Sequence, residues 1–238
     1  MRASVNLDTT TLAGIAVFSS LALVLGGASQ ALGLNFPLIP YLQFDLGEVA
    51  IVLAFFVFGP VPAAVSSVVE FGGLMVFGQQ IPVGPLLKLF ALISTVAGLW
   101  IGARLAARLE RNGLASLVGS SALAGAAVRA VVMTVPNYYL IVNLYGLSAI
   151  EGLLKAPFAL TGITLGDSNA LAVILLFTGI FNVLQLAFVA AASYLVLRVP
   201  AVAQLRVGGR APWFVLFLRG VGKGGVRIDS TEPSLEAK

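Results

Sequence analysis

The chain has 238 residues, 59% of them hydrophobic and only 10% charged, and its mean hydropathy is +1.01, which places it in a lipid bilayer rather than in water. It has no cysteine and no histidine, so disulfides, thiolate or imidazole metal sites, and Ser-His-Asp, Cys-His or HExxH chemistry are excluded, and neither a metal nor a cofactor is expected. The net charge of +4 does not signal nucleic acid, because Arg198, Arg206, Arg210, Arg219, Lys223, Arg227 and Lys238 follow the last apolar segment, and such a tail marks the cytoplasmic side of a membrane protein.

Charge and Gly/Pro punctuation divide the chain into six apolar segments, at 12–34, 46–59, 61–78, 86–103, 117–143 and 170–197. The expected fold is therefore all-α, a six-transmembrane-helix bundle over 12–199, with a short cytoplasmic N-terminus at 1–11 and a basic cytoplasmic tail at 200–238. The first segment follows only Arg2 and Asp8 and reads as a retained span rather than a cleaved leader. Next comes NFPLIPYLQFDLG, 35–47, whose prolines favour an ordered extended or turn conformation that could act as a lid. The second segment has only ten apolar residues, Val49 to Phe58, and spans only if Asp45 to Glu48 sit at the headgroup level. The third is entered through Pro60 and Pro62 and interrupted by Glu70; the fifth carries Arg129. The last is the clearest, with thirty uncharged residues from Ser168 to Leu197, where about 20 suffice to cross a bilayer. Beyond it, Trp213 to Leu218 is too short to span and reads as interfacial or loosely ordered.

Arg104, Arg108 and Arg111 lie between the fourth and fifth segments, and Arg198, Arg206 and Arg210 follow the sixth, whereas Asp45, Glu48, Glu151 and Asp167 fall in the opposite loops. The positive-inside rule then places both termini in the cytoplasm and the connections 35–47 and 144–169 outside.

Charged groups at bilayer depth cost at least about 2.5 kcal/mol each and usually find partners inside a bundle. Glu70 lies ten residues from Pro60 and Arg129 ten from Gly119, so both reach a similar depth and are expected to pair, either to fix packing or to serve a ligand or relay. Asn137, Tyr138 and Tyr139 on the fifth segment, with Asn182 and Gln185 three apart on the sixth, form an uncharged polar set. It suits either a polar heterocycle stacked on tyrosine or plain interhelical hydrogen bonds. Small residues four apart, Ala16/Ser20, Ala22/Gly26, Gly98/Gly102 and Ala122/Ala126, permit close helix approach within the bundle or, on the first helix, against a partner. No GxxxxGK[ST] loop is present, so the chain is not expected to hydrolyse ATP itself, and if it drives uptake the energy comes from a partner.

The run FPLIPYLQFDLGEVAIVLAFFVFGP, residues 36–60, resembles the start of the substrate-binding S components of energy-coupling factor (ECF) vitamin transporters, above all the riboflavin-type members. Leu42, Asp45, Gly47, Glu48 and Gly59-Pro60 follow that family's L-x-x-D-x-S-[DE]-x-P and Gly-Pro pattern, with Gly47 and Ala50 where serine and proline are usual. Arg129 and Asn137 resemble its fifth helix, and Phe181-Asn182-x-x-Gln185 resembles its P-F-N-x-x-K, with glutamine in place of lysine. The likeness runs over about 12–197, with a longer 144–169 connection than the family's.

The resemblance implies a non-enzymatic vitamin-capture subunit of the cell membrane. Riboflavin is favoured over thiamine, folate, pantothenate or a modified base, and the pocket is expected to involve Leu42, Asp45, Asn137, Tyr138, Tyr139, Asn182 and Gln185. It also implies association with a transmembrane coupling subunit and two ATPase subunits, with Ala16 and Ser20 resembling the A-x-x-x-A docking face. An integral membrane enzyme acting on lipid, or a scaffold, is the alternative from another class.

Overall fold

The computed structural model describes residues 8–77, 81–110, 113–166 and 168–221. The expectations on Arg111, Asp167, the first seven residues and the chain from Gly222 onward lie outside these. Helix α1, Thr9–Ala31, leads into a hairpin of β1, Asn35–Phe36, and β2, Ile39–Gln43, followed by α2, Gly47–Phe58, α3, Pro60–Phe77, and α4, Val83–Arg108. Helix α5, Leu114–Tyr139, continues through a π-helical stretch, Leu140–Tyr145, into α6, Leu147–Ala159. The chain ends with α7, Ala170–Leu197, and the short α8, Pro200–Gln204, and α9, Trp213–Val221.

Helices α1, α3, α4, α5 and α7 are each long and apolar enough to cross a membrane. Their outer faces carry large apolar side chains such as Leu123, Val131 and Leu176, more than half exposed, while Glu48, Glu70, Arg129, Asn137, Asn182 and Gln185 are buried. This inside-out distribution suits lipid and would be costly in water. The protein is therefore a helical, multi-pass membrane protein. The second expected span is α2, whose 12 residues cover about 18 Å, short of the roughly 30 Å hydrocarbon core.

Local chemistry explains the boundaries. The Asp8 carboxylate caps α1 by accepting from Thr11 N at 2.8 Å. Gly59, at φ 99°, ends α2 in a backbone conformation that other residues avoid, and Pro60 opens α3 where a missing N–H costs nothing. Helices α4 and α5 form the most extensive antiparallel pair, and glycine makes it possible: a Cβ on Gly102 would lie 2.3 Å from Ser120 O, and one on Gly98 would lie 2.5 Å from Gly125 Cα.

The position of α2 decides the architecture of the site. Gly47 lies against the Ala22 carbonyl, where a Cβ would approach within 2.3 Å, and the Phe58 ring covers Gly14, so α2 runs antiparallel to α1 and begins beside its middle. Ala22 is nine residues from the end of α1, about 14 Å along the axis. The chain therefore rises from α1 into the hairpin and descends again before α2 starts, which carries Asp45 and Glu48 into the bundle instead of leaving them at the headgroup level.

Two apolar clusters result. One joins Ala22, Ile51, Phe55, Leu99, Leu117 and Leu186; the other joins Phe36 and Ile39 of the hairpin to Ile141, Leu154, Phe158 and Ile174. Along α5 and α7 the polar residues Arg129, Asn182 and Gln185 fall between the two sets, so a polar layer separates them. The tail differs from expectation: α9 is ordered against α2, with Phe214 in the first cluster and the Trp213 ring 5.2 Å from that of Phe55. The 144–169 connection likewise contains a packed helix, α6, whose Leu154 and Phe158 are fully buried.

Candidate functional site

Above the polar layer lies a cavity of about 650 Å³, bounded by the hairpin, α1, α3, α4, α5 with its π-helical extension, α6 and α7. One part of its wall is apolar or aromatic, including Leu42, Leu74, Leu87, Ile141, Tyr145 and Phe181; the other carries Asp45, Glu48, Lys88, Arg129, Asn137 and Asn182.

Two ion-pair clusters form the polar wall. Arg129 engages Glu48 bidentately, with Nη2 donating to Oε1 at 2.9 Å and Nη1 to Oε2, while Nε donates to Asn182 Oδ1 at 2.8 Å and Nη1 also reaches Thr95 Oγ1 at 3.3 Å. The planar guanidinium fork matches a carboxylate in this way, which a lysine ammonium cannot do. Lys88 lies between two carboxylates, its Nζ 2.5 Å from both Asp45 Oδ2 and Glu70 Oε1. Glu70 is fully buried, and its Oε2 has no hydrogen-bond partner among the described residues. Gly26 admits this cluster, since a Cβ there would lie 3.2 Å from Lys88 Nζ and 3.3 Å from Asp45 Oδ1.

The expected Glu70–Arg129 pair is thus replaced by Glu48–Arg129 and Glu70–Lys88. The descent of 43–47 brings Glu48 to the level of Arg129. Neither Lys88 nor Glu48 stood out as an intramembrane group, because both lie near segment ends in the sequence. The available signal was the excess of carboxylates over partners, which required a further buried cation.

The residues 43–48 are fastened from several sides. Gln43 Nε2 donates to Ser29 O at 2.7 Å, Leu46 N donates to Ser29 Oγ at 2.8 Å, and Gly47 N donates to Asp45 Oδ1 at 2.7 Å. Gln185 is fully buried and bonds both main-chain groups of Asp45, accepting from its N at 3.3 Å and donating to its O at 2.9 Å. It therefore holds the strap rather than lining the cavity, a correction to its expected ligand role. A lysine there would lose the acceptor for Asp45 N.

Of the residues expected to bind substrate, Leu42, Asp45, Asn137 and Asn182 line the cavity. Tyr138 and Tyr139 do not: they are 47% and 62% exposed on the outer surface. Arg129, Met133 and Asn137 follow the fourfold spacing of one helical face, so the two tyrosines after Asn137 rotate away from it. Tyr41 of the hairpin and Tyr145 of the π-helical stretch supply the cavity's phenols instead. Desolvation, with Tyr145 adding to it, pushes the Tyr41 phenol up to about 12, so it remains an uncharged donor near neutral pH. Asn137 donates Nδ2 to Met133 O at 2.7 Å and leaves its Oδ1 without a partner among the described residues.

Ala16 and Ser20 are both exposed on α1. A second depression, about 580 Å³ between α5 and α7, is lined by Ala130, Val131, Thr134, Leu175, Gly179 and other mostly apolar residues of the outer face and presents no charge. Comparison with known protein families, with characterised proteins and with solved structures finds no match.

Proposed function

We propose that this protein captures a small heterocyclic vitamin within the membrane, as the substrate-binding subunit of an ECF-type importer. The observation that carries this reading is the cavity itself: at about 650 Å³ it falls within the usual range for small-molecule sites. It lies under the segment whose sequence resembles the S components, and it combines amide and phenol groups with an apolar wall. Leu42, Asp45, Asn137 and Asn182 are the residues that the resemblance and the cavity wall share.

Riboflavin is the first ligand to test. Asn137 Oδ1 and the phenols of Tyr41 and Tyr145 offer uncharged hydrogen-bonding groups to a flavin's polar edge, and Phe181 and Leu42 cover its rings. Release is driven by a coupling subunit with two ATPases, for which the exposed Ala16 and Ser20 leave a smooth surface on α1. Arg104 over the Trp100 ring at 3.6 Å and Arg198 near Tyr194 at 5.6 Å support placing that end of the bundle at the cytoplasmic interface in the cell membrane.

The test is mass spectrometry of small molecules released from protein purified without added vitamin, together with riboflavin fluorescence quenching in detergent. Binding is expected for the wild type, with an affinity loss of about 5- to 150-fold in Asn137→Ala, where a ligand group loses its partner. Absence of any released vitamin and of quenching by folded protein overturns the proposal.

A further inference from the structure

Every cation on the cavity wall is already neutralised. Arg129 commits Nη1 and Nη2 to Glu48, Nη1 also to Thr95, and Nε to Asn182. The Lys88 ammonium is shared between Asp45 and Glu70. Among the described residues the wall and its backing therefore set three carboxylates, Asp45, Glu48 and Glu70, against two cations. What the cavity offers beyond these pairs is neutral: Asn137 Oδ1 and the phenols of Tyr41 and Tyr145.

Resting on the small-molecule capture reading, we infer that the site admits ligands that carry no anionic group and rejects phosphomonoesters of the same molecules, with Glu70 setting this selectivity as a positioning residue through Lys88. A phosphomonoester brings between one and two negative charges near neutral pH. Binding one in a buried site calls for surplus Arg or Lys donors. Here the ester must draw Lys88 from Asp45 and Glu70, which leaves two carboxylates without a counter-ion in a low-dielectric interior. Asp45 has some access to the cavity and its water, but Glu70 is fully buried behind Lys88, so Glu70 is the group that cannot release the ammonium. Between two carboxylates Lys88 has no net positive charge left for a phosphate, and neutralising Glu70 removes one of the two competitors for the ammonium.

The test compares matched pairs on the full-length protein in detergent: riboflavin with riboflavin phosphate by fluorescence quenching, and thiamine with its monophosphate and pyridoxine with its phosphate by ligand-induced thermal shift. In any pair that binds, the unphosphorylated member is expected to bind at least about 30-fold more tightly, the scale of one unit charge repelled across about 8 Å at an effective dielectric constant near 20. Glu70→Gln keeps the side chain's size, frees the ammonium and is expected to shrink the ratio below about 5-fold, chiefly by strengthening the ester. Because the readout is a ratio within one preparation, a lower folded fraction affects both members equally. If Glu70→Gln does not fold, Asp45→Asn relieves the same ammonium from the cavity side and is expected to shrink the ratio likewise. A wild type that binds an ester within about threefold of its alcohol overturns the inference and leaves capture intact, as does a ratio unmoved in the folded variant. Failure of all three pairs to bind folded protein removes the capture reading for these vitamins, and the selectivity inference with it.

Discussion

At the residue scale the buried charges form two separate units. Glu48 and Arg129 are each about 3% exposed, and removing one member leaves the other unpaired, a loss of about 3–5 kcal/mol. Glu48→Gln and Arg129→Gln are each expected to lower the melting temperature in detergent, and the double variant to be more stable than the sum of the two losses implies. Glu70→Gln combined with Arg129→Gln is expected to be close to additive, since these two side chains answer to different partners. Additivity of the Glu48 and Arg129 changes would refute the pair. Gly47 has an equally local explanation. It stands where the resembled family has serine, and a side chain there would meet the Ala22 carbonyl, so in this chain α1 and α2 approach each other at the expense of that hydroxyl.

At the element scale the most extensive packing is between α4 and α5. Gly102→Ala places a methyl group 2.3 Å from Ser120 O and 2.5 Å from Ser121 Cα. Both are backbone atoms that cannot rotate away, so a loss of about 1–3 kcal/mol is expected from forced separation of the helices. Gly27→Ala on α1 meets nothing within 4 Å and is expected to be neutral or to stabilise by up to about 1 kcal/mol through helix propensity. Thermal unfolding of the two variants measures the contrast, and equal melting temperatures would show that the glycine contact does not hold the pair together. Helix α5 shows a second element-scale effect. Pro136 lies inside it and removes one backbone donor; the helix then widens into the π-helical stretch, and the phase that follows brings Ile141 and Tyr145 to the cavity.

At the scale of the whole molecule the arginine bias makes a prediction about orientation. The chain is free of cysteine, so single cysteines report cleanly. Ser148 on α6 and Gln204 on α8 are both exposed and lie at opposite ends of the bundle. Ser148→Cys is expected to react with an impermeant maleimide on intact cells, and Gln204→Cys only after lysis. The reverse pattern would invert the topology and put the cavity on the cytoplasmic side, where it could not capture a vitamin from outside.

The membrane character, the helical class and the positions of the long helices were legible in the sequence, because each depends on apolar runs and on glycine and proline, which act over a few residues. Asn137 and Asn182 were legible for a related reason: uncharged amides in apolar helices must face a partner or a cavity. The partners were a different matter. Arg129 could be known to need a carboxylate, but the choice of Glu48 over Glu70 depends on how far the chain descends between the hairpin and α2, and that descent is set by the contact of Gly47 with the middle of α1. Likewise Gln185 holds residues 43–48 and Tyr145 faces the cavity because that segment and the π-helical stretch, both products of packing among distant segments, decide what the cavity wall is made of. The sequence by itself determined which groups had to be buried and satisfied; only the tertiary structure decided which of them satisfy one another, because pairing energies at hydrogen-bond range depend on ångström-scale placements that no local pattern encodes.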